Sequence, residues 1–190
     1  LSSEAVEALA SDVDLEILRI GVPEDFDARR MATILAGFKR EKPQARLETI
    51  SGMSTDLKQR LANGDIDIAL VKREPDSGPC WAAWPEALVW VKGAQTDSAD
   101  GVLPLALFPQ GCIYRQRAIR LLDMAQRPWR VAFGSHSLTG IQAAVACGLG
   151  ISVLPASAVL PEHSICTDLP PLPPTELALI SRDGALSGLQ

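Results

Sequence analysis

The chain has few of the residues that mark a metalloprotein or a disulfide-stabilised protein. Its 190 residues include two histidines, one tyrosine and four cysteines. None of the cysteines forms a Cys-x-x-Cys pair, which argues against a structural zinc site. Lone cysteines of this kind are usually small buried hydrophobes. We therefore expect no metal site and no cofactor.

Signatures of nucleotide binding and of nucleophilic catalysis are also missing. The sequence contains no G-x-x-x-x-G-K-[ST] segment and no G-x-G-x-x-G at the start of a helix. The segment Gly148-Leu149-Gly150 follows a predicted helix, where a phosphate would meet the negative end of the helix dipole. A G-x-S-x-G nucleophile elbow is absent too. These absences predict a protein without catalytic residues, so we do not expect an enzyme.

The chain has neither an excess of positive charge nor a long apolar run. Lysine and arginine number 18 against 23 acidic residues, which gives a net charge of −5. Nucleic-acid-binding domains usually carry a basic stripe, so we do not expect these residues to bind DNA themselves. No apolar run approaches the roughly 18 residues of a membrane span, and residues 1–15 lack the basic cluster of a secretory signal. The sequence predicts a cytoplasmic protein with no membrane partner.

The most informative stretch of the sequence is 131–155. An apolar run at 131–133 is followed by the turn Gly134-Ser135-His136-Ser137, by a segment with helical periodicity, and by a second apolar run at 151–154 that ends at Pro155. This order predicts a β-α-β unit. In such a unit the N–H groups that begin the helix lie at the carboxyl end of a strand, where open α/β sheets bind ligands.

Strands and helices alternate along the rest of the chain as well. The predicted strands are 15–22, 46–50, 65–71, 87–91, 103–108 and 176–181, and the predicted helices are 28–40, 55–63 and 114–125. Asn63-Gly64 is predicted to end the second helix, with the glycine in a left-handed conformation. The stretch 74–85, rich in Pro, Gly and Trp, is predicted to be a connection without a strand. The alternation predicts an α/β fold with mostly parallel sheets in two lobes.

Four strand-to-helix turns are candidate ligand contacts: 23–27, 51–54, 109–113 and 134–138. Each turn exposes helix N–H groups, where the macrodipole adds partial positive charge. In two lobes that face each other, these turns would line one cleft suited to a carboxylate, a phenol or another small polar acceptor. Helix capping explains any single turn equally well, and it is their concurrence that favours a ligand site. His136 would either bind the ligand or face solvent.

Several short motifs occur in an order that is typical of one protein family. They are Leu18-Arg19-Ile20-Gly21-Val22, Ser51-Gly52-Met53-Ser54-x-x-Leu57, Leu61-x-x-Gly64-x-Ile66-Asp67-Ile68-Ala69-Leu70, Phe108-Pro109-x-Gly111 and the run from Ala143 to Pro155. With these motifs, residues 16–182 resemble the effector-binding domain of LysR-type transcriptional regulators. The resemblance implies a type 2 periplasmic-binding-protein-like fold of two Rossmann-like lobes. Lobe I would comprise 16–86 and 156–190, and lobe II would comprise 87–155.

The resemblance also implies a function, partners and site residues. Residues 1–15 would end a linker helix from a winged helix-turn-helix domain outside this chain, and DNA would bind to that domain alone. The lobes would bind a small-molecule effector, such as a carboxylate or an aromatic acid, in the interlobe cleft. They would also form a dimer or tetramer. By position, the ligand contacts would be Pro23, Glu24, Asp25, Gly52, Met53, Ser54, Pro109, Gly111, Cys112, Ser135, His136, Ser137 and Thr139.

Two other functions are compatible with the same fold. A solute-binding receptor of a transport system would need an export signal upstream of Leu1, whereas a regulator would have a helix-turn-helix there. A small-molecule lyase would need an acid/base pair, and Glu24 with Asp25 would serve only if burial separated their pKa values. Capping of the next helix explains these two acids more simply. For the regulator we expect Ser54→Ala to weaken the effector response with little change in the thermal midpoint.

Overall fold

The computed structural model describes residues 17–41, 43–44, 46–96 and 101–182, without the side chains of 28–30, 34, 38 and 41. Residues 1–15, predicted to end a linker helix, lie outside the described residues. The chain divides at Pro85/Glu86 and at Thr175/Glu176 into two units. Unit II is Glu86–Thr175, and unit I is the remainder.

The described elements follow one another in the alternating order that the sequence predicted. The strands are β1 (Ile17–Pro23), β2 (Arg46–Gly52), β3 (Ile68–Arg73), β4 (Ala82–Glu86), β5 (Leu88–Gly93), β6 (Leu103–Leu107), β7 (Trp129–Gly134), β8 (Ser152–Pro155), β9 (His163–Ile165) and β10 (Thr175–Ser181). The α-helices are α1 (Ala28–Glu41), α2 (Ser54–Asn63), α3 (Ile113–Met124) and α4 (Leu138–Ala146). None of these helices is both long and apolar enough to cross a bilayer.

Unit I is built on a five-stranded sheet in the order β2-β1-β3-β10-β4. Strand β1 is parallel to both β2 and β3, whereas β10 runs antiparallel to β3. The parallel strands are joined through α1 and α2, as right-handed crossovers require. Their carboxyl ends therefore meet at one edge of the sheet.

Apolar side chains cover both faces of this sheet. One buried cluster consists of Leu18, Ile20, Val22, Ile68, Leu70, Leu177 and Leu179, with Met31 and Leu35 of α1 packed against it. The other consists of Leu57, Leu61, Ile66, Ala69, Val71 and Ala178, so that α2 covers this cluster with its two leucines. Alternate residues of β3 belong to different clusters, as the period of two in a strand requires.

The end of α2 confirms a specific prediction from the sequence. Gly64 adopts a left-handed conformation with φ 82°, and its N–H group donates to the carbonyls of Arg60 and Leu61. A residue with a Cβ atom is strained in that conformation, which explains a glycine at this position.

Unit II is built from two groups of strands that meet at one bridge. Strand β5 pairs antiparallel with β8 and β9, and β6 pairs parallel with β7. The bridge joins Leu105 of β6 to Ile151, whose N–H group donates to the carbonyl of Pro104 at 2.8 Å. Strand β6 thus lies between β7 and β8, the two strands of the predicted β-α-β unit. A Cβ atom on Gly150 would lie 2.7 Å from the backbone nitrogen of Ala106, so this approach requires glycine.

Two strands were not predicted, and one boundary lies later than expected. Strand β4 occurs in the Trp- and Pro-rich stretch, where Trp81 donates its backbone N–H to Leu179 at 2.8 Å and its ring N–H to Ser181 at 2.9 Å. Strand β9 has only three residues, too few for a period to show. Because β9 pairs with β5, residues 156–175 belong to unit II, and the chain returns to unit I at Thr175/Glu176 rather than near 155.

Candidate functional site

In unit I the turns after β1 and β2 lie side by side. Pro23 and Gly52 are paired in register at the ends of the two strands, and the N–H group of Glu24 donates to the Gly52 carbonyl at 3.2 Å. Met53 and Ser54 follow directly as the start of α2. The structure thus brings together the predicted unit I contacts, which are Pro23, Glu24, Asp25, Gly52, Met53 and Ser54.

Ser54 connects the start of α2 to β3. Its hydroxyl oxygen accepts a hydrogen bond from the backbone N–H of Lys72 at 2.9 Å. The N-cap residue of α2 is Met53, whose side chain caps nothing. The hydroxyl group of Ser54 is half-buried, and an accepting hydroxyl can still donate its own proton. The helix start therefore offers backbone N–H groups together with one hydroxyl group.

A buried ion pair lies beside this helix start. The Lys72 ammonium is 2.7 Å from the Asp25 carboxylate and 3.4 Å from the Asp25 carbonyl, and the two side chains are 4% and 10% exposed. Helix α1 begins at Ala28, and the carbonyl of Asp27 accepts from Met31 N–H at 3.0 Å. Asp25 precedes that first turn, and its pairing with Lys72 accounts for a charged side chain at a buried position.

The next residue of β3 forms a second buried ion pair. The Arg73 guanidinium lies 2.6 Å from the Glu176 carboxylate. It also donates to the carbonyls of Gly78 at 2.8 Å and Pro79 at 3.3 Å, and it contacts the Cys80 sulfur at 3.2 Å. Arg73 therefore fixes the connection that follows β3.

In unit II the turn after β6 leads into α3. Gly111 has a positive φ of 91°, and Cys112 follows as the N-cap residue with its N–H bonded to the Pro109 carbonyl at 3.2 Å. The Cys112 side chain is buried, whereas Gly111 is exposed. On the first turn of α3, the Tyr114 hydroxyl donates to Glu86 at 2.7 Å.

The turn after β7 is held by its own serines. Ser135 donates its backbone N–H to the Leu107 carbonyl at 3.2 Å, which places this turn next to the turn after β6. The Ser135 hydroxyl accepts from Ser137 N–H at 3.1 Å, and the Ser137 hydroxyl accepts from Gly140 N–H as the N-cap of α4. Thr139 shares a 2.7 Å hydrogen bond with the Ser137 hydroxyl, and His136 is exposed. The predicted unit II contacts therefore also form one group.

Comparison with known proteins assigns the chain to a family. The family model for the LysR substrate binding domain matches residues 12–189. The chain belongs to this family. It is 30% identical over 158 residues to the HTH-type transcriptional regulator DgdR of Burkholderia cepacia, an alignment that covers 83% of this chain and 54% of DgdR. The chain thus spans about half the length of that relative.

Solved structures of a regulatory domain and of an effector-binding domain have the same fold. The regulatory domain of CcmR from Synechocystis PCC6803, in complex with 2-PG, has a TM-score of 0.65 and 19% identity over 92% of this chain and 89% of that one. The effector-binding domain of QuiR, in complex with shikimate, has a TM-score of 0.67 and 14% identity over 90% of both chains. These similarities confirm the predicted fold class, an α/β fold of two periplasmic-binding-protein-like lobes.

Sequence reasoning missed one charged residue at the unit I turns of this LysR-type domain. Lys72 directly follows the apolar segment 68–71, so the sequence did show a charged residue at the end of a buried strand. Its partner Asp25 lies far away in the sequence, and only the pairing of β1 with β3 brings the two residues together. The pair adds a buried positive charge and a buried negative charge to the helix start at Ser54.

Proposed function

We propose that this LysR substrate binding domain senses a small molecule for a transcriptional regulator, and that the effector contacts the turns described above. One observation carries the proposal. In each unit, two strand-to-helix turns lie next to each other at the carboxyl ends of parallel strands. Such turns collect helix N–H groups and the positive ends of helix dipoles, which favour a ligand with a carboxylate or another polar acceptor.

The relatives support the same proposal. DgdR is named a helix-turn-helix transcriptional regulator, and domains with this fold occur in complex with shikimate and with 2-PG. We infer that the full-length protein binds DNA through a helix-turn-helix domain, works in the cytoplasm as a dimer or tetramer, and catalyses no reaction. An effector that prefers one arrangement of the protein would then change the affinity for DNA.

The residues of the proposed site form two sets, one in each unit. The residues of the unit I turns are Pro23, Glu24, Asp25, Gly52, Met53 and Ser54, and those of the unit II turns are Pro109, Gly111, Cys112, Ser135, His136, Ser137 and Thr139. The side chains of several of these residues already form hydrogen bonds within the turns. At these turns we therefore expect a ligand to contact backbone N–H groups and the hydroxyl of Ser54, with His136 as an exposed additional donor.

A ligand screen by thermal denaturation tests this proposal. Small aliphatic and aromatic acids, amino acids among them, are added to the 190-residue chain, and the thermal midpoint is measured. A ligand at 100 times its Kd adds about 2.7 kcal/mol to the free energy of unfolding. We expect at least one compound to raise the midpoint in the wild type and to raise it less in Ser54→Ala. A hit whose effect is equal in both proteins contradicts the proposed site.

A further inference from the structure

We propose that Lys72 and Asp25 select an effector that carries both a carboxylate and an ammonium group, as an amino acid does. The effector carboxylate binds Lys72 and the effector ammonium binds Asp25. This inference rests on the proposed function and names the chemical class of its ligand.

The position of the pair is the first reason. Lys72 and Asp25 are in contact at 2.7 Å, and both side chains are nine-tenths or more buried. The backbone N–H of Lys72 is bonded to Ser54, the first residue of α2. A buried ion pair contributes little more to stability than apolar side chains of the same volume. Stability alone therefore does not account for two opposite charges at the edge where the turns meet.

Charge balance decides the class of ligand. An effector with only a carboxylate would replace Asp25 as the partner of Lys72 and would separate a buried carboxylate from its cation. An effector with only an ammonium group would separate Lys72 from Asp25 in the same way. Separating a buried charge from its partner is strongly unfavourable. A zwitterion that enters between the two residues leaves an opposite charge beside each of them.

The surroundings of Lys72 set the orientation of this ligand. Helix α2 begins at Ser54, so its positive end lies near the backbone of Lys72, whose N–H group donates to the Ser54 hydroxyl. The Lys72 side chain shares a face of β3 with Ile68 and Leu70. The Ser54 hydroxyl can donate a hydrogen bond to the same carboxylate. The flexible four-carbon stem of lysine allows its ammonium group to move away from Asp25. The carboxylate end of the effector therefore lies against Lys72, and the ammonium end lies against Asp25.

The neighbouring pair of Arg73 and Glu176 provides a matched control. It is buried to a similar extent, with side chains 7% and 10% exposed. Its guanidinium also donates to the carbonyls of Gly78 and Pro79, which fixes it in place. We assign this pair to the connection after β3 and not to the effector.

The experiment compares three versions of the same ligand. The probes are the protein amino acids, each with its deamino and decarboxy analogues, such as leucine with isocaproate and isoamylamine. Affinities for the 190-residue chain are measured by calorimetry. We expect at least one amino acid to bind the wild type at least about tenfold more tightly than either analogue, where tenfold corresponds to about 1.4 kcal/mol.

Two charge-removing variants then reverse this preference. Asp25→Asn leaves Lys72 without its carboxylate and shifts the preference from the amino acid to the acid analogue. Lys72→Gln shifts it to the amine analogue. Glu176→Gln lowers the thermal midpoint and keeps the preference for the amino acid.

Each other outcome has a defined meaning. The inference is overturned if the wild type binds the amino acid and its acid analogue equally tightly. It is also overturned if Asp25→Asn and Glu176→Gln change the preference for the amino acid to the same extent. If no amino acid binds but a wider library yields an effector, the inference fails while the proposed function stands. If no compound of any class binds, the proposed function fails with it.

Discussion

Ser54 and Lys72 are joined by a hydrogen bond in which the Lys72 backbone N–H donates to the Ser54 hydroxyl oxygen at 2.9 Å. From the sequence, Ser54→Ala is expected to weaken the effector response with little change in the thermal midpoint. The structure gives the hydroxyl group a second role, because it joins α2 to β3. We therefore expect Ser54→Ala to lower the free energy of unfolding by about 1 kcal/mol, as measured by urea denaturation, and also to weaken effector binding.

The adjacent Thr55 is the control for this variant. It lies in the same helix turn, and its side chain is exposed. Thr55→Ala should leave both stability and ligand affinity close to those of the wild type. If both alanine variants lose the same free energy of unfolding, the hydrogen bond from the Lys72 N–H group to the Ser54 hydroxyl contributes nothing measurable to stability.

The close approach of Gly150 to β6 gives a second prediction. A Cβ atom at this position would lie 2.7 Å from the backbone nitrogen of Ala106 and 2.8 Å from the carbonyl carbon of Leu105. Because backbone atoms cannot move aside cheaply, Gly150→Ala should lower the free energy of unfolding by about 1–3 kcal/mol. At Gly134 the nearest atom to a Cβ is 3.9 Å away, so Gly134→Ala should cost much less. If chemical denaturation gives a similar loss in the free energy of unfolding for both variants, then β6 shifts to accommodate the added Cβ atom at Gly150.

The buried amide of Gln142 gives a third prediction. Its Nε2 group donates to the Ala158 carbonyl at 2.7 Å. His163 accepts from Leu160 N–H through Nδ1, so its Nε2–H donates to the Gln142 carbonyl at 2.9 Å. Gln142→Leu leaves the buried Ala158 carbonyl without this donor, which should lower the free energy of unfolding by about 1–3 kcal/mol. The same change at the exposed Gln116 of α3 is the control. Equal thermal midpoints for the two variants would show that the hydrogen bond from Gln142 to Ala158 does not stabilise the fold.

The cysteines should differ in their reactivity. Burial raises the pKa of the Cys166 thiol. The positive charge of Lys92 lowers this pKa by a smaller amount, and the negative charge of Asp168 raises it. At about pH 8 its thiolate is therefore scarcer than that of an ordinary cysteine. The exposed Cys80 and Cys147 should react with iodoacetamide first, and Cys166 should react only slowly, as followed by mass spectrometry of the folded chain.

The same shift in the pKa of Cys166 has a consequence for stability. A raised pKa means that the folded state holds this proton more tightly than the unfolded state does. Stability from Cys166 is therefore complete below the ordinary thiol pKa and decreases as the pH rises above it. Cys166→Ser should reduce this decrease at alkaline pH, and fast alkylation of Cys166 at neutral pH would contradict the raised pKa.

Local sequence patterns predicted much of the fold. The βα turn at 134–137 and the glycine end of α2 could be recognised because they depend on a few neighbouring residues. Strand β4 could not, since Pro85 and the tryptophans resemble a connection, and pairing with β10 is what makes this segment a strand. Residues 163–165 became a strand for the same reason, because β5 provides the partner.

The candidate site shows the same limit. The turns were predictable because each one follows a strand and begins a helix. The pairing of Lys72 with Asp25 was not, because it depends on the register of β1 against β3 rather than on any local pattern. Long-range pairing decides which charges meet, and the chemistry of the site depends on those charges.

The central proposal is that a ligand at these turns controls DNA binding by the full-length protein. The most direct measurement is the affinity of that protein for its promoter DNA, with and without the compound found in the ligand screen. We expect a saturating ligand to change the apparent Kd for DNA at least about fivefold in the wild type and in Thr55→Ala. At a ligand concentration that just saturates the wild type, the change should be much smaller in Ser54→Ala, because this variant binds the ligand more weakly. A DNA affinity that the ligand leaves unchanged, or a full response in Ser54→Ala at low ligand concentration, would contradict the account.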